Sequence, residues 1–305
     1  MVTTLSLLLF SLGGPLEGYK EIDVATGKLF WRGWSEEDRR EVIEELPRVL
    51  AAVETKLQAK LEATFTTILV PGSLELRHLV EAMSGKLLDA RWVLGVALPE
   101  ARMLVIRGDV PMGWESFRTT LVHEVAHLVL HRRLSTRLPR WFDEGASIWL
   151  SGSILTGEDE AYLSLLARVG GLYLLEDLER EFPGGHLPTS TAYRQSSYFV
   201  SYLVDRFGPE SIPRLLVEFE RGKSMAEALR KVSGASLIEL ERAFEGWVIS
   251  RQSLAFALAS VVNVWTFASL LALLAIARYA LRRRKRLREL AKEDPGSSPN
   301  VEAPM

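Results

Sequence analysis

The chain has 305 residues, 37 Lys and Arg against 39 Asp and Glu, a net charge of −2, and 48% hydrophobic and 25% charged residues. This composition is that of a folded domain large enough to bury a core, and it carries no overall basic field, so nucleic acid is not an expected partner. Cysteine is absent, which excludes disulfides and every thiolate metal site and leaves His, Asp and Glu as the strong metal ligands.

The N-terminal run "TLSLLLFSLGG" has the length and small-residue ending of a secretory signal, yet no Lys or Arg precedes it. It reads either as a signal peptide, residues 1–18, or as a first strand. From Ser35 to Leu61 the apolar residues fall at helical spacing after an acidic start, with Pro47 as a kink or break. "TFTTILVPG" is a β-branched strand closed by Pro71 and Gly72, and a helix over Leu74 to Met83 follows. "WVLGVALPEARMLVIRGD" predicts two strands joined by a tight turn around Pro99 and Glu100. Helix returns over Trp114 to Arg133. Beyond Leu150 the pattern is almost wholly helical, in "EAYLSLLARV", "TAYRQSSYFVSYLVDRF", "SIPRLLVEFERG", "SMAEALRKV" and "LIELERAFEGWVIS".

The fold class is therefore α+β, with a small mixed sheet and a helix-bearing half over 19–150 and a helical half of the same domain over 151–252. Leu254 to Ala277 is an uncharged apolar run long enough to cross a bilayer, which predicts one transmembrane helix within 253–278. Arg278, Arg282, Arg283, Arg284, Lys285, Arg286 and Arg288 follow it. The positive-inside bias then makes 279–305 a cytoplasmic tail, basic and then disordered, and the preceding domain extracytoplasmic on a single-pass cell-membrane anchor. Export of that domain favours the signal reading of the N-terminus.

The chemistry concentrates in "TLVHEVAHLVLHRRLSTRLPRWFDEGASIWL", Thr120 to Leu150. His123 and His127, four apart on a helix, lie about 40° apart in angle and about 6 Å in rise, so both rings can reach one ion. Glu124 projects beside that ion rather than onto it, as a general base must. A catalytic zinc needs a third protein ligand and an open fourth position. His131 lies too far along the axis to share the ion and reads as a surface histidine near a helix C-terminus. The H-E-x-x-H-x-x-G-x-x-H arrangement is absent, since Leu130 and Arg133 occupy its glycine and third histidine positions. Glu144 is the better candidate: Pro139 can start a second helix that returns the carboxylate to the ion, and Gly145 would let that helix pack closely on the first. Asp143 either orients a ligand or, more economically, is exposed at the helix start. His78 and His186 have no partner pattern.

"HEVAH" followed by the glutamate of "LPRWFDEGASIWLSG" resembles the gluzincin metallopeptidases, and closely the peptidase MA-like domains, over roughly Trp34 to Val248. The resemblance implies a zincin-like fold, Zn2+ held by His123, His127 and Glu144, a catalytic acid/base at Glu124, and a peptide or protein substrate. It implies that extended substrate pairs with an edge strand, placed here on Ala101 to Gly108. It implies an oxyanion donor from the helical half, with Tyr193 the candidate and Tyr198 the runner-up, a core tyrosine with a satisfied hydroxyl being the alternative for either. No G-x-M-E-N segment is found, which argues for an endopeptidase. The rival expectation is an inactive peptidase fold used as an extracytoplasmic binding module.

Overall fold

The computed structural model describes residues 15–85, 93–109, 114–132, 138–152, 156–251, 269–279 and 281–282. A five-stranded mixed sheet has strand order β1-β2-β3-β5-β4. β1 (Lys20–Val24) and β2 (Gly27–Trp31) form an antiparallel hairpin; β2 pairs in parallel with β3 (Phe65–Val70), and β3 in parallel with β5 (Met103–Arg107). β4 (Gly95–Leu98) closes one side, antiparallel to β5, and a short 3₁₀ turn over Pro99–Ala101 joins the two.

The parallel pairs need crossovers, and helices supply them. α1 (Glu36–Leu57) joins β2 to β3; Ser35 caps it by accepting the Asp38 amide, and acidic Glu36, Glu37 and Asp38 occupy its first turn. Pro47 lies inside α1 without ending it. α2 (Ser73–Ser84) follows β3 and covers the opposite face of the sheet. Alternation along the strands then sorts the core. Leu29, Phe65, Leu69, Leu104 and Ile106 meet α1 and α3 (Trp114–Leu130), whereas Phe30, Ile68, Val70, Met103 and Val105 meet Leu76, Leu79 and Val80 of α2.

The helical half comprises α4 (Arg140–Ser151), α5 (Gly157–Arg168), α6 (His186–Phe207), α7 (Ser211–Glu220), α8 (Met225–Ser233) and α9 (Leu237–Arg251). Trp141 on α4, Phe199 on α6 and Phe244 on α9 join its layers through edge-to-face rings with centroids 5.3 Å and 5.2 Å apart. α4 packs against α6 at Gly145, where an added Cβ would lie 2.5 Å from the Ser196 carbonyl oxygen. The close packing predicted for Gly145 is thus real but directed at α6, not at the histidine helix.

Two expectations are corrected. Ala101 to Gly108 contains β5, which is flanked by β3 and β4 and fully buried, so it is not an edge; the edge strand on that side of the sheet is β4. α6 begins at His186 rather than Thr191, because Pro188 lies in the first turn, where a missing N–H costs nothing. The β1–β2 hairpin is an addition to the predicted elements. Residues 1–14 of the expected signal, the apolar run from Leu254 as far as residue 268, and the disordered tail lie outside the described residues. Residues 269–279 are helical and exposed, and among the described residues no helix is long and apolar enough to cross a membrane.

Candidate metal centre

α3 and α4 meet so that three potential ligands converge. The Nε2 atoms of His123 and His127 are 3.2 Å apart, with ring centroids 4.8 Å apart and planes at 84°. Glu144 Oε2 lies 3.7 Å from each of them. Among the described residues, His123, His127 and Glu144 form a group whose ligand atoms all fall within 4.8 Å of one another. Ligand atoms about 2 Å from a common centre at tetrahedral angles stand about 3.3 Å apart, so this triangle suits a zinc-sized ion with one corner left for solvent. An all-N,O donor set of two imidazoles and a carboxylate also matches zinc's preferences.

His127 is held from behind. Asp143 Oδ1 is 2.7 Å from His127 Nδ1, and Ser147 Oγ is 3.3 Å from the same nitrogen. Asp143 Oδ2 is 3.0 Å from His131 Nε2. The expected exposure of Asp143 and His131 is therefore overturned, for their side chains are only 20% and 16% exposed and face each other. Asp143 instead bonds the candidate ligand His127, as the other role read for it requires.

These contacts set the protonation. Burial works against a charged His127 imidazole, but the carboxylates of Asp143, Glu144 and Glu124 outweigh it and push its pKa up to about 10. Burial likewise opposes ionisation of Glu144, yet His123 and His127 keep its carboxyl below the ordinary range. Asp143 is likewise held below its ordinary range, against burial, by His127 and His131.

Glu124 follows His123 on α3 and lies outside the ligand triangle. Its Oε2 accepts the Ala97 backbone N–H at 2.8 Å, a donor that edge strand β4 leaves without a neighbouring strand. The Glu124 side chain lies over Gly95, where an added Cβ would come within 2.9 Å of its Cγ. On the other side of the triangle, the Tyr193 hydroxyl lies 3.4 Å from Glu144 Oε1, and Arg140 Nη2 lies 3.5 Å from that hydroxyl. The Arg140 guanidinium stacks over Phe182 at 4.8 Å, and Phe182 meets the Tyr193 ring edge-on at 4.9 Å. Burial, reinforced by Glu144, pushes the Tyr193 phenol up to about 12, which keeps it a hydrogen-bond donor at neutral pH.

The structure brings His123, Glu124, His127, Glu144 and Tyr193 together. Tyr198 is elsewhere: it packs on Trp247, and the charges acting on it are Glu160, Asp159 and Arg251. Sequence reasoning missed Gly95, Ala97, Arg140 and Ser147. For Ser147 and Arg140 a signal existed, because they lie one turn after Asp143 and one turn before Glu144.

The layered α+β fold and this donor set define a zincin-like class of protein. Residues 57–250, more than half of the chain, match the profile of the Peptidase MA superfamily, and the chain belongs to that superfamily. It is 23% identical over 155 residues to the uncharacterized protein YhcO of Bacillus subtilis (strain 168), a match covering 48% of this chain and 46% of that protein. Solved structures with some likeness include an M1 zinc metallopeptidase of Deinococcus radiodurans, at TM-score 0.37 and 13% identity over 77% of this chain and 51% of that one. An aminopeptidase N family protein of Idiomarina loihiensis scores 0.43 at 13% identity, over 74% of this chain and 46% of that one. The chain thus spans about half the length of each of these proteins.

Proposed function

We propose that the protein is a zinc-dependent metallopeptidase, acting as an endopeptidase and anchored in the cell membrane by Leu254 to Ala277 with its catalytic domain extracytoplasmic. One observation carries the enzymatic reading: two imidazole nitrogens and a carboxylate oxygen, 3.2 to 3.7 Å apart, form an ion-sized triangle with Glu124 beside it and not within it. His123, His127 and Glu144 would hold zinc, which supplies the Lewis acidity that makes water nucleophilic near neutral pH. Glu124 takes a proton from the attacking water and returns it to the departing amine, changing from base to acid between the two steps. Tyr193, neutral and poised at Glu144, donates to the oxygen that gains charge as the carbonyl is attacked. β4, beneath Glu124, is the strand along which an extended peptide can lie, with backbone pairing holding it and side-chain pockets selecting it. The absence of a G-x-M-E-N segment supports internal rather than terminal cleavage. The apolar run and the arginines after it support the anchor and its orientation.

The test is metal content and turnover together. Wild-type protein is expected to carry one zinc and cleave an unstructured protein such as casein. Glu124→Gln should keep the zinc and lose activity by about a hundredfold or more, and Glu144→Ala should lose the zinc. Cleavage that survives in Glu124→Gln rejects the mechanism; zinc without any cleavage in the wild type leaves the binding-module reading in its place.

A further inference from the structure

α3 is followed by a third histidine, His131, one further turn beyond His127. At about 100° and 1.5 Å per residue it is turned about 80° from His123 and lies about 12 Å farther along the axis, out of reach of an ion held by His123 and His127. It is nonetheless committed, because its Nε2 meets Asp143 Oδ2 at 3.0 Å while Asp143 Oδ1 meets His127 Nδ1 at 2.7 Å. An ionised carboxylate only accepts, so both rings must donate to it. That arrangement assigns N–H to His127 Nδ1 and makes Nε2, the atom turned toward His123 and Glu144, the nitrogen that gives up its proton and offers a lone pair when an ion binds. A carboxylate bonded through one oxygen alone can still rotate about its terminal torsion, which is soft. A donor on each oxygen removes that freedom.

Building on the zinc reading, we propose that His131 is a positioning residue: by gripping the second oxygen of Asp143 it fixes the carboxylate that orients His127 for metal binding. The motif thus extends along α3 as a ladder in which His123 and His127 face the ion and His131 braces the brace. Ser147, one turn after Asp143 on α4, adds a further contact to the His127 Nδ1 atom at 3.3 Å. Loss of His131 leaves every proposed ligand in place and acts only through Asp143.

The experiment measures zinc affinity by chelator competition on the full chain, together with the visible spectrum of the Co2+-substituted protein, in wild type and three variants. His131→Leu removes the donor, His131→Asn shortens it beyond reach of Asp143, and His131→Gln keeps an N–H donor at nearly the original distance. Zinc affinity should fall about tenfold in the Leu and Asn variants, the lower end of the range for removing a partner directly behind a metal-bound histidine, because Asp143 itself remains, and the cobalt bands should shift. The Gln variant should recover most of both. If the Leu protein does not fold, the Asn and Gln pair carries the comparison. Equal affinity and identical cobalt spectra in Asn, Gln and wild type overturn the positioning role while leaving the zinc reading intact. A wild type that takes up neither metal overturns the zinc reading and this inference with it.

Discussion

Gly95 shows how a residue without a side chain can position the carboxylate proposed as the general base. Its missing Cβ leaves room for the Glu124 side chain, which then reaches the Ala97 amide. Gly95→Ala should displace the carboxylate by a fraction of an ångström to an ångström and lower kcat by about a hundredfold, since misplacement on that scale costs about that much. Zinc content should be unchanged; equal kcat in Gly95→Ala and wild type would count against Gly95 as the seat of the base. His123, Glu124, His127 and Glu144 were legible in the sequence because helical spacing alone brings the first three together and Pro139 marks a returning helix. Asp143 was legible only as one of two alternatives, and the contact of His131 not at all, because both depend on the rotation of α4 against α3, which no local pattern states. The same contacts yield a pH prediction. His127 in the folded, metal-free protein titrates near 10, above its unfolded value of about 6.5. A raised pKa means that stabilisation from the charged imidazole is complete below about 6.5 and is lost as pH rises through about 10. Chelator-treated protein should therefore melt at progressively lower temperature from pH 7 to 10. Zinc-loaded protein, with no Nε2 proton to lose, should lack that component, and parallel melting curves for the two forms would refute the assignment.

At the scale of elements, the packing of α4 on α6 decides where Glu144 and Tyr193 meet. Gly145 permits it, with the Ser196 carbonyl oxygen 2.5 Å from where a Cβ would stand. Gly145→Ala should force the helices apart and cost about 1–3 kcal/mol, the usual range for overpacking, measured as a lower urea midpoint with an unchanged slope. It should also reduce zinc affinity, because Glu144 is the next residue on the displaced helix. A midpoint equal to wild type would show that the two helices separate freely. The helices were readable from period and caps, whereas strand order was less so. "MLVI" in β5 is an unbroken apolar run of the kind that marks a strand covered on both faces, and such a run is itself a signal against an edge position. The β1–β2 hairpin escaped notice for the opposite reason: β1 is exposed along nearly its whole length, so no burial alternates there to leave a period of two.

For the whole molecule, the proposed anchor predicts which side of a membrane the candidate metal centre faces. The family profile covers 57–250 and ends just before the uncharged run, so the proposed anchor lies outside the part of the chain that the superfamily shares. Orientation then rests on charge: seven Lys and Arg from Arg278 to Arg288 follow the run, against Arg251 before it. The absence of cysteine makes this testable without background labelling. Gly246 is exposed on α9 with nothing within 4 Å of a Cβ placed there, so Gly246→Cys should fold normally and offer a thiol on the proposed outer side. Ser297→Cys offers one in the tail. In intact cells a membrane-impermeant maleimide should label the first and not the second, and permeabilisation should expose both. Reversing the basic flank, by neutralising Arg282 to Arg286 and adding arginines before Leu254, should reverse the pattern if charge sets the topology. Equal labelling of both sites in intact cells, or fractionation of the full chain away from membranes, would overturn the proposed anchor and leave the reading of the metal site standing by itself.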